Sequence, residues 1–290
     1  MKKRLLSLLL ALAMCLSLSV PAFAAETPTS AFLSPATLEW IEDNYSTVNV
    51  DLQQQVVNDF ESLSSVGIIS EFCTPSSIRQ DGRIVYTLQL TDTITNQITT
   101  YRDAQNQLVV EFYEGDKHDT VIYLNNGNLL VNGCLIDNQN SVVSVVSASG
   151  NVVVQPRARY DDFSLTPWGS ASEYTIDAGV YTGSFCPWGV ETIANLSIGT
   201  VAAIICDAVK ASLGLAILIT IFSTVASNMI NYTIIYGMED AYFSWEFAVS
   251  ERQGSFILED YYEYDGACWS RRGLKGTEFK HTFYRHNYFS

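Results

Sequence analysis

The sequence predicts an α+β protein: N-terminal helices and an antiparallel β meander, then a C-terminal half in which aromatic antiparallel strands sheathe an apolar helical hairpin. Three observations predict this fold class. Apolar residues recur at helical spacing before residue 65, and short β-rich runs alternate with turn residues from residue 83 onward. The third is the segment from Ala211 to Met238, which has 28 residues and no charged side chain.

Residues 1–24 have the composition of a secretory signal peptide. Three cations at residues 2–4 precede a 16-residue apolar segment, and Ala22-Phe23-Ala24 fits the small-x-small pattern of a cleavage site. The apolar segment is also short for a membrane anchor. We therefore expect a secreted, extracellular protein whose mature chain begins near Ala25.

The chain is acidic, with a formal charge of −15 from 16 Lys and Arg against 31 Asp and Glu. Loss of the three cations of the signal peptide takes this charge to −18. Nucleic-acid binding needs a basic surface, so the composition predicts no nucleic-acid partner. The charge also argues against simple attraction to anionic lipids, and by itself it favours solubility outside the cell.

Residues 25–156 are predicted to form a first domain, a candidate leader or pro-region. A helix is expected to begin after Ser34 as N-cap, with Pro35 in its first position. A second helix presents one apolar stripe. That stripe contains Leu52, Val56, Phe60 and Leu63. Seven β-rich runs between residues 83 and 156 then predict an antiparallel meander.

Residues 157–165 are predicted to be a linker between the two domains. Arg157 and Arg159 stand here in a chain that is otherwise poor in cations, and they form a candidate processing site for a trypsin-like protease. The alternative is an ordinary uncut linker. The second domain is expected over 166–290, and its segment 172–185 is interpreted as a hairpin of two strands.

Residues 192–236 are predicted to form the apolar helical hairpin. Only Asp207 and Lys210 are charged in this span, three positions apart on one helix face. A break near Gly214 would give two helices of about 20 residues, each about 30 Å long like the hydrocarbon core of a bilayer. The residues expected to enter a membrane are Ile204, Ile205, Leu213, Gly214, Leu215, Ile217, Leu218, Ile219, Ile221 and Phe222.

Five cysteines follow the signal peptide, and an exported chain meets conditions in which they can pair. Cys206 lies in an apolar stretch, where a free thiol acts as a small hydrophobic side chain. The other four predict one bridge in each half, Cys73–Cys134 and Cys186–Cys268, although the same four allow two other pairings. No cysteine or histidine spacing is typical of a zinc site, so no metal is expected.

No motif in the chain is typical of an enzyme. The three histidines lack a partner pattern, and no nucleophile elbow, H-E-x-x-H motif or phosphate-binding glycine loop is present. The carboxylates of segment 259–265 are expected to form one solvated face of a strand. We therefore expect neither catalysis nor a cofactor.

The uncharged hairpin has three interpretations. A permanent membrane anchor is the weakest, because Glu239 and Asp240 follow the hairpin where an anchor would have cations. The second is a buried centre of a soluble domain, since a helix that is apolar on all sides must be covered. The third is a stored element that is released into a target bilayer.

The segments "SIGTVAAIICDAVKASLGLAILITIF" and "EDYYEYDGACW" carry a resemblance in layout to the large secreted bacteriocins of Gram-positive bacteria, of the geobacillin type. These proteins also combine a signal peptide, a β-rich leader half and a C-terminal half with an apolar hairpin and aromatic strands. The resemblance implies killing of related bacteria by membrane damage, and it transfers no functional residue. The acidity and the five cysteines depart from the pattern, which puts direct attraction to anionic membranes in doubt.

The expected partners are therefore a bacterial target membrane, further copies of the chain on that membrane, and a processing protease. Residues 26–159 carry a formal charge of −10, so cutting near Arg159 would remove much of the repulsion. It would also leave a basic aromatic tail beside the hairpin, with five cations that favour an anionic surface. These cations are Arg271, Arg272, Lys275, Lys280 and Arg285. The alternative function is a non-lytic secreted or surface-associated binding protein with a buried hairpin core.

Overall fold

The computed structural model describes most of the chain after the N-terminal segment. The described residues are 33–45, 51–136, 142–146, 160–185, 190–213, 218–235, 237, 241–254, 259–271 and 273–288. The predicted signal peptide lies outside them, as do Cys186, Arg157 and Arg159.

The protein is α+β, as the sequence predicts, with five α-helices and two antiparallel sheets among the described residues. The helices are α1 (Pro35–Tyr45), α2 (Leu52–Ser64), α3 (Val190–Ala194), α4 (Ile198–Leu213) and α5 (Ile219–Ile235). Two short 3-10 turns cover Ser70–Phe72 and Ala171–Glu173.

The two N-terminal helices are confirmed. The Thr37 amide donates to Ser34 Oγ at 3.2 Å, which caps α1 at its first turn. Asp51 caps α2 in the same way by accepting from the Gln54 amide at 3.3 Å. The apolar stripe of α2 is buried, as predicted.

The first sheet is a meander of seven strands, each hydrogen-bonded to the next along the chain. They are β1 (Cys73–Ile78), β2 (Ile84–Gln89), β3 (Thr95–Arg102), β4 (Leu108–Glu114), β5 (Lys117–Tyr123), β6 (Leu129–Val131) and β7 (Cys134–Ile136). The sequence predicts no strand at β1, because Pro75 and two serines weaken its β pattern. Proline is tolerated there since β1 is an edge strand with an irregular register at Pro75.

The second sheet has four long central strands with a five-residue strand at each edge. In spatial order these are β8 (Val142–Val146), β10 (Tyr174–Phe185), β11 (Phe243–Arg252), β12 (Glu259–Arg271), β13 (Lys275–Tyr288) and β9 (Tyr160–Ser164). All neighbouring pairs are antiparallel.

Three segments join this sheet differently from the sequence expectation. Residues 142–146, which belong to a run predicted within the first meander, form β8 and pair with β10. Residues 160–164 of the predicted linker form β9 on the opposite edge. The predicted hairpin at 172–185 is the single strand β10, which continues through a register shift beside Gly179 (φ 118°) instead of turning back.

One continuous set of buried apolar side chains links both sheets to the helices. Helices α4 and α5 pack on each other, α4 also contacts β4 and β10, and α5 also contacts β12 and β13. The predicted hairpin therefore lies in a core to which both halves of the chain contribute.

Candidate functional site: the helical hairpin and its polar clamp

The hairpin is buried along most of its length. Every side chain from Val201 to Val209 is buried, including Ile204 and Ile205. Leu218, Ile219, Ile221 and Phe222 of the predicted inserting set are at most 7% exposed. For the rest of that set, the side chain of Leu213 and all of Gly214, Leu215 and Ile217 lie outside the described residues.

The two helices are shorter than predicted. With 16 and 17 residues, α4 and α5 are about 24 and 26 Å long. The first helix of the hairpin is shorter because residues 190–194 form the separate helix α3. Helix α4 begins only after Ser197, which caps it by accepting from the Thr200 amide at 3.2 Å. No helix in the described part of the chain is long and apolar enough to cross a membrane.

Side chains from the first sheet bind the first amides of α4. Asp119 Oδ2 accepts from the Ser197 amide at 2.7 Å, and Glu114 Oε2 accepts from the Ile198 amide at 3.0 Å. Asn96 Oδ1 accepts from the Gly199 amide at 3.2 Å. Two carboxylates and one side-chain amide oxygen thus accept hydrogen bonds from backbone amides that have no acceptor within the helix. They do so at the N-terminal end of α4, where the helix dipole favours negative charge.

These acceptors are held in place by further hydrogen bonds. Asn96 Nδ2 donates to Glu114 Oε2 at 2.7 Å, and Asn132 Nδ2 donates to Asp119 Oδ1 at 2.8 Å. Lys117 Nζ donates to the Leu196 carbonyl at 2.8 Å and to the Ala194 carbonyl at 3.3 Å. We call Asn96, Glu114, Lys117 and Asp119 the polar clamp, since together they bind the chain on both sides of Ser197.

Gly199 lets α4 approach the first sheet closely. A Cβ atom at this position would lie 2.5 Å from Asn96 Oδ1 and 2.6 Å from the Phe112 ring. Both neighbours are fully buried and cannot move away at low cost. The clamp therefore depends on a residue without a side chain.

Helix α5 is attached to both halves of the chain. The Ile219 amide donates to the Gly67 carbonyl at 2.9 Å, and Ser223 Oγ donates to the Leu90 carbonyl at 2.9 Å. On the side of the second sheet, the Phe222 ring lies 6.0 Å from Phe243 and 5.3 Å from His281, measured between ring centroids.

A buried thiol and a half-buried imidazole lie next to this contact. Cys268 Sγ and His281 Nε2 are 3.4 Å apart. Burial lowers the pKa of His281 to about 4 and raises the pKa of the Cys268 thiol well above its ordinary value. Both groups are therefore uncharged at neutral pH, which suits an apolar contact and does not activate the thiol as a nucleophile.

The two predicted hairpin charges differ in their environment. Asp207 is buried, with 8% of its surface exposed, and Lys210 is half-buried. Burial, with a further contribution from the Asp207 carboxylate, raises the pKa of Tyr123 well above its ordinary value. The carboxyl group of Asp207 in the hairpin thus interacts electrostatically with the Tyr123 phenol of the first sheet, which stays neutral.

The predicted Cys73–Cys134 disulfide is not formed. Both cysteines are free: Cys73 is buried in β1 and Cys134 is exposed in β7. These strands are at opposite edges of a seven-stranded sheet whose strands are spaced about 4.8 Å apart, too far for one bridge. Cys206 and Cys268 are buried free thiols, and the predicted partner Cys186 lies outside the described residues.

The cations of the predicted basic tail divide into two groups. Arg285 is only 3% exposed, and its guanidinium lies 6.0 Å from the centroid of the Tyr262 ring, so it is not free to meet a lipid surface. Arg271, Lys275 and Lys280 are exposed. Arg272 lies outside the described residues.

Sequence reasoning missed the polar clamp, although a signal for it exists. Asn96, Glu114 and Asp119 each stand two positions from a buried apolar residue on the same strand, so they share its inward face. Those apolar neighbours are Ile98, Phe112 and Val121. A polar side chain in the inward phase of a strand indicates a buried hydrogen-bonded contact.

Asp59 in α2 was also missed. Its Oδ2 atom accepts from the Tyr86 hydroxyl at 2.6 Å, beside a cavity of about 460 Å³ between α2 and the end of β3. Burial raises the pKa of Asp59 to about 7, against the lowering effect of the Tyr86 hydrogen bond. This carboxyl group can therefore change its charge near neutral pH.

No protein-family model, curated protein or solved structure matches this chain. Within the described ranges, no three His, Cys, Asp or Glu side chains are grouped so that they could hold a metal ion.

Proposed function

We propose that this is a secreted, bacteriocin-like antibacterial protein that stores an apolar helical hairpin and delivers it to a target membrane. One observation carries the proposal: in the described structure, α4 and α5 lie in the core but take no part in the strand ladders of either sheet. The hairpin can therefore leave while the backbone hydrogen bonds within both sheets remain.

The aqueous state favours storage. Fully exposing one large apolar side chain such as Phe222 costs roughly 1.5–3 kcal/mol, and the hairpin holds many of them. The sheathing of the hairpin by aromatic strands is part of the proposal, and the contacts of Phe222 with Phe243 and His281 support it. A bilayer offers the same side chains an apolar environment, which removes most of this cost.

Two features oppose insertion. Asp207 would cost roughly 2.5–3.5 kcal/mol at the centre of a bilayer, and helices of about 24 and 26 Å fall short of its thickness of about 30 Å. Local thinning of the membrane accommodates such a mismatch. Association of several copies would cover the polar side chains of α5, such as Thr224 and Asn231, that face solvent in the folded protein.

Dye release from liposomes by the purified mature protein, at neutral and mildly acidic pH, tests the proposal. The informative variant is Thr224→Asp, because Thr224 is exposed, is the sixth of the 17 residues of α5, and a charge there is compatible with the folded state. A carboxylate at this depth should reduce release by roughly tenfold or more. Leu218→Asp is less informative, since Leu218 is fully buried and the change would also unfold the protein.

Two controls separate insertion from charge and from folding. Thr224→Ala changes the same position without adding charge, and Gln80→Asp adds one carboxylate at an exposed turn of the first domain. Both should release dye like the unmodified protein, and Asp207→Asn should release more. Equal release by Thr224→Asp and Thr224→Ala, or no release by any form either before or after cutting near Arg157, would reject membrane insertion by the hairpin.

A non-lytic binding protein is the second candidate, and the outer face of the first sheet favours it. Glu111 accepts from Arg79 Nη1 at 3.1 Å, Thr99 Oγ1 at 3.0 Å and the Tyr113 hydroxyl at 2.7 Å. The Arg83 guanidinium lies 3.6 Å from the centroid of the Tyr101 ring. Such an ordered polar and aromatic face suits a binding surface, and it would become the leading candidate if liposomes stay intact.

A further inference from the structure

The halves of this chain are joined by more than the backbone between them. The polar clamp of the first sheet makes five of the hydrogen bonds described above to residues 194–199: three to amides of Ser197, Ile198 and Gly199 and two from Lys117 to carbonyls. Asp119 is 2% exposed and Asn96 is fully buried. Buried charge-assisted hydrogen bonds of this kind are among the stronger ones in proteins.

Helix α5 adds a second set of contacts to the first half. Ser223 Oγ lies 2.9 Å from the carbonyl oxygen of Leu90 and 2.7 Å from that of Thr220, so its one proton is shared between the two acceptors. The Ile219 amide donates to the carbonyl of Gly67. Ser223 and Leu90 are both buried, so water cannot readily replace the bond between them. Separating the halves would leave these backbone groups without their partners.

Strand β8 supplies a third set. It follows the first sheet in the chain but pairs with β10, over five residue pairs from Val142↔Ser184 to Val146↔Val180. The first half thus contributes an edge strand to the sheet of the second half. Strand β9, by contrast, lies after the predicted processing site and pairs with β13, so it stays with the second half.

We infer that the first half, from α1 to β8, is a non-covalent binding partner of the second half, so that cutting the chain near Arg157 leaves a stable complex of two fragments. The three sets of contacts lie outside residues 147–159, and a cut there removes none of them. The polar clamp then limits how fast the fragments separate. This inference concerns the fold and holds whether or not the hairpin enters a membrane.

Proteolysis then has a different role from the one that the sequence predicts. The charge distribution predicts that cutting near Arg159 removes the acidic first half and leaves the hairpin beside the basic tail. The first sheet packs on one side of the hairpin through contacts that such a cut does not touch, so it stays there after the cut. Cleavage can therefore permit release without causing it, and a second event has to open the clamp.

The test uses the full mature chain with a recognition sequence for a site-specific protease inserted after Arg157. After cutting, the two fragments should elute together in size-exclusion chromatography at micromolar concentration and appear as one complex in native mass spectrometry. Exchange against isotopically labelled cut protein then measures the dissociation rate. Asp119→Ala and Lys117→Met should each raise this rate by roughly tenfold or more, because each leaves buried polar groups without a partner.

Asp116→Ala is the matched control, since Asp116 is an exposed carboxylate in the turn between β4 and β5 that makes no clamp contact. Its cut form should exchange like the unmodified protein. Lys117→Met keeps the aliphatic part of the side chain, so this variant should stay folded and can be measured even if Asp119→Ala does not fold. Separate elution of the unmodified fragments, or equal exchange rates for the clamp variants and Asp116→Ala, would overturn the inference.

Discussion

The Phe222 ring of α5 meets the His281 imidazole of β13 edge to face, with ring centroids 5.3 Å apart and an interplanar angle of 76°. The imidazole is also 3.4 Å from Cys268 Sγ, so it links the hairpin to the middle of the second sheet. This contact is made by a neutral imidazole, because burial lowers the pKa of His281 from 6.5 to about 4.

Acidification should therefore weaken the contact between the hairpin and the second sheet. Between pH 6.5 and 4 the unfolded chain binds a proton at His281 that the folded chain does not, so the free energy of unfolding falls as the pH drops. The loss at pH 4 is about 3 kcal/mol. Chemical denaturation at several pH values should show that His281→Phe abolishes this loss, while replacement of the exposed His118 by Phe keeps it. Equal pH dependence of the two variants would contradict the assignment.

Asp59 should have the opposite effect. Its pKa is raised from 3.8 to about 7 in the folded protein, so between these values the folded chain holds a proton that the unfolded chain has released. Stability contributed by this group is present in acid and decreases as the pH rises to 7. Asp59→Asn keeps an acceptor for Tyr86 and should be more stable than the unmodified protein by up to roughly 4 kcal/mol at pH 8, with little difference at pH 4.

Denaturation curves measured at pH 4 and pH 8 check this prediction. Glu61→Gln is a suitable control, because Glu61 lies on the same helix at the same cavity but is exposed. Its stability should differ little from that of the unmodified protein at either pH. If Asp59→Asn is no more stable than Glu61→Gln at pH 8, the carboxyl of Asp59 is not buried as described.

Gly199→Ala should separate α4 from the first sheet. The added methyl group would meet Asn96 and the Phe112 ring at distances below 3 Å, and overpacking of this kind costs roughly 1–3 kcal/mol. The better helix propensity of alanine offsets at most about 1 kcal/mol. Urea denaturation should therefore show a lower midpoint, and hydrogen exchange at residues 197–200 should be faster.

Thr224→Ala is the control for this change, because it also introduces alanine into the hairpin but at an exposed position. It should change the free energy of unfolding by no more than about 0.5 kcal/mol. A stability of Gly199→Ala equal to that of Thr224→Ala would mean that the first sheet does not pack on α4 at this point.

Alkylation of the folded protein should distinguish its thiols. Cys134 is exposed, whereas Cys73, Cys206 and Cys268 are buried. Iodoacetamide should therefore modify Cys134 rapidly and reach the other three only after denaturation, as read by peptide mass spectrometry without reduction. Recovery of a Cys186–Cys268 peptide would support that predicted bridge and contradict the free, buried thiol of Cys268.

Much of the secondary structure could be predicted because it depends on near neighbours. The stripe of α2 repeats every three to four residues, and the Ser34-Pro35 start of α1 is a local signal, so both helices are where the pattern placed them. The meander from β2 to β7 follows in the same way from alternating residues and short turns. The apolar segment that became α4 and α5 was also evident from composition alone.

Partners distant in sequence could not be predicted, because a strand pattern specifies which face is buried but not which edge it pairs with. For this reason the sequence pattern predicts a meander strand at β8 and a linker at β9. In the structure both strands lie at edges of the second sheet. The same limit applies to Cys73 and Cys134, whose separation depends on the width of the whole first sheet.

Residue order alone specifies an acidic chain with an α+β pattern and one long uncharged segment. The fold adds that the hairpin containing this segment is covered by both halves of the chain, and that its first helix, α4, begins at the clamp of Asn96, Glu114, Lys117 and Asp119. The physical reason is that a buried amide or carboxylate is stable only beside a partner. Here the partner of Asp119, the amide of Ser197, lies 78 positions away and is reached only when both halves fold together.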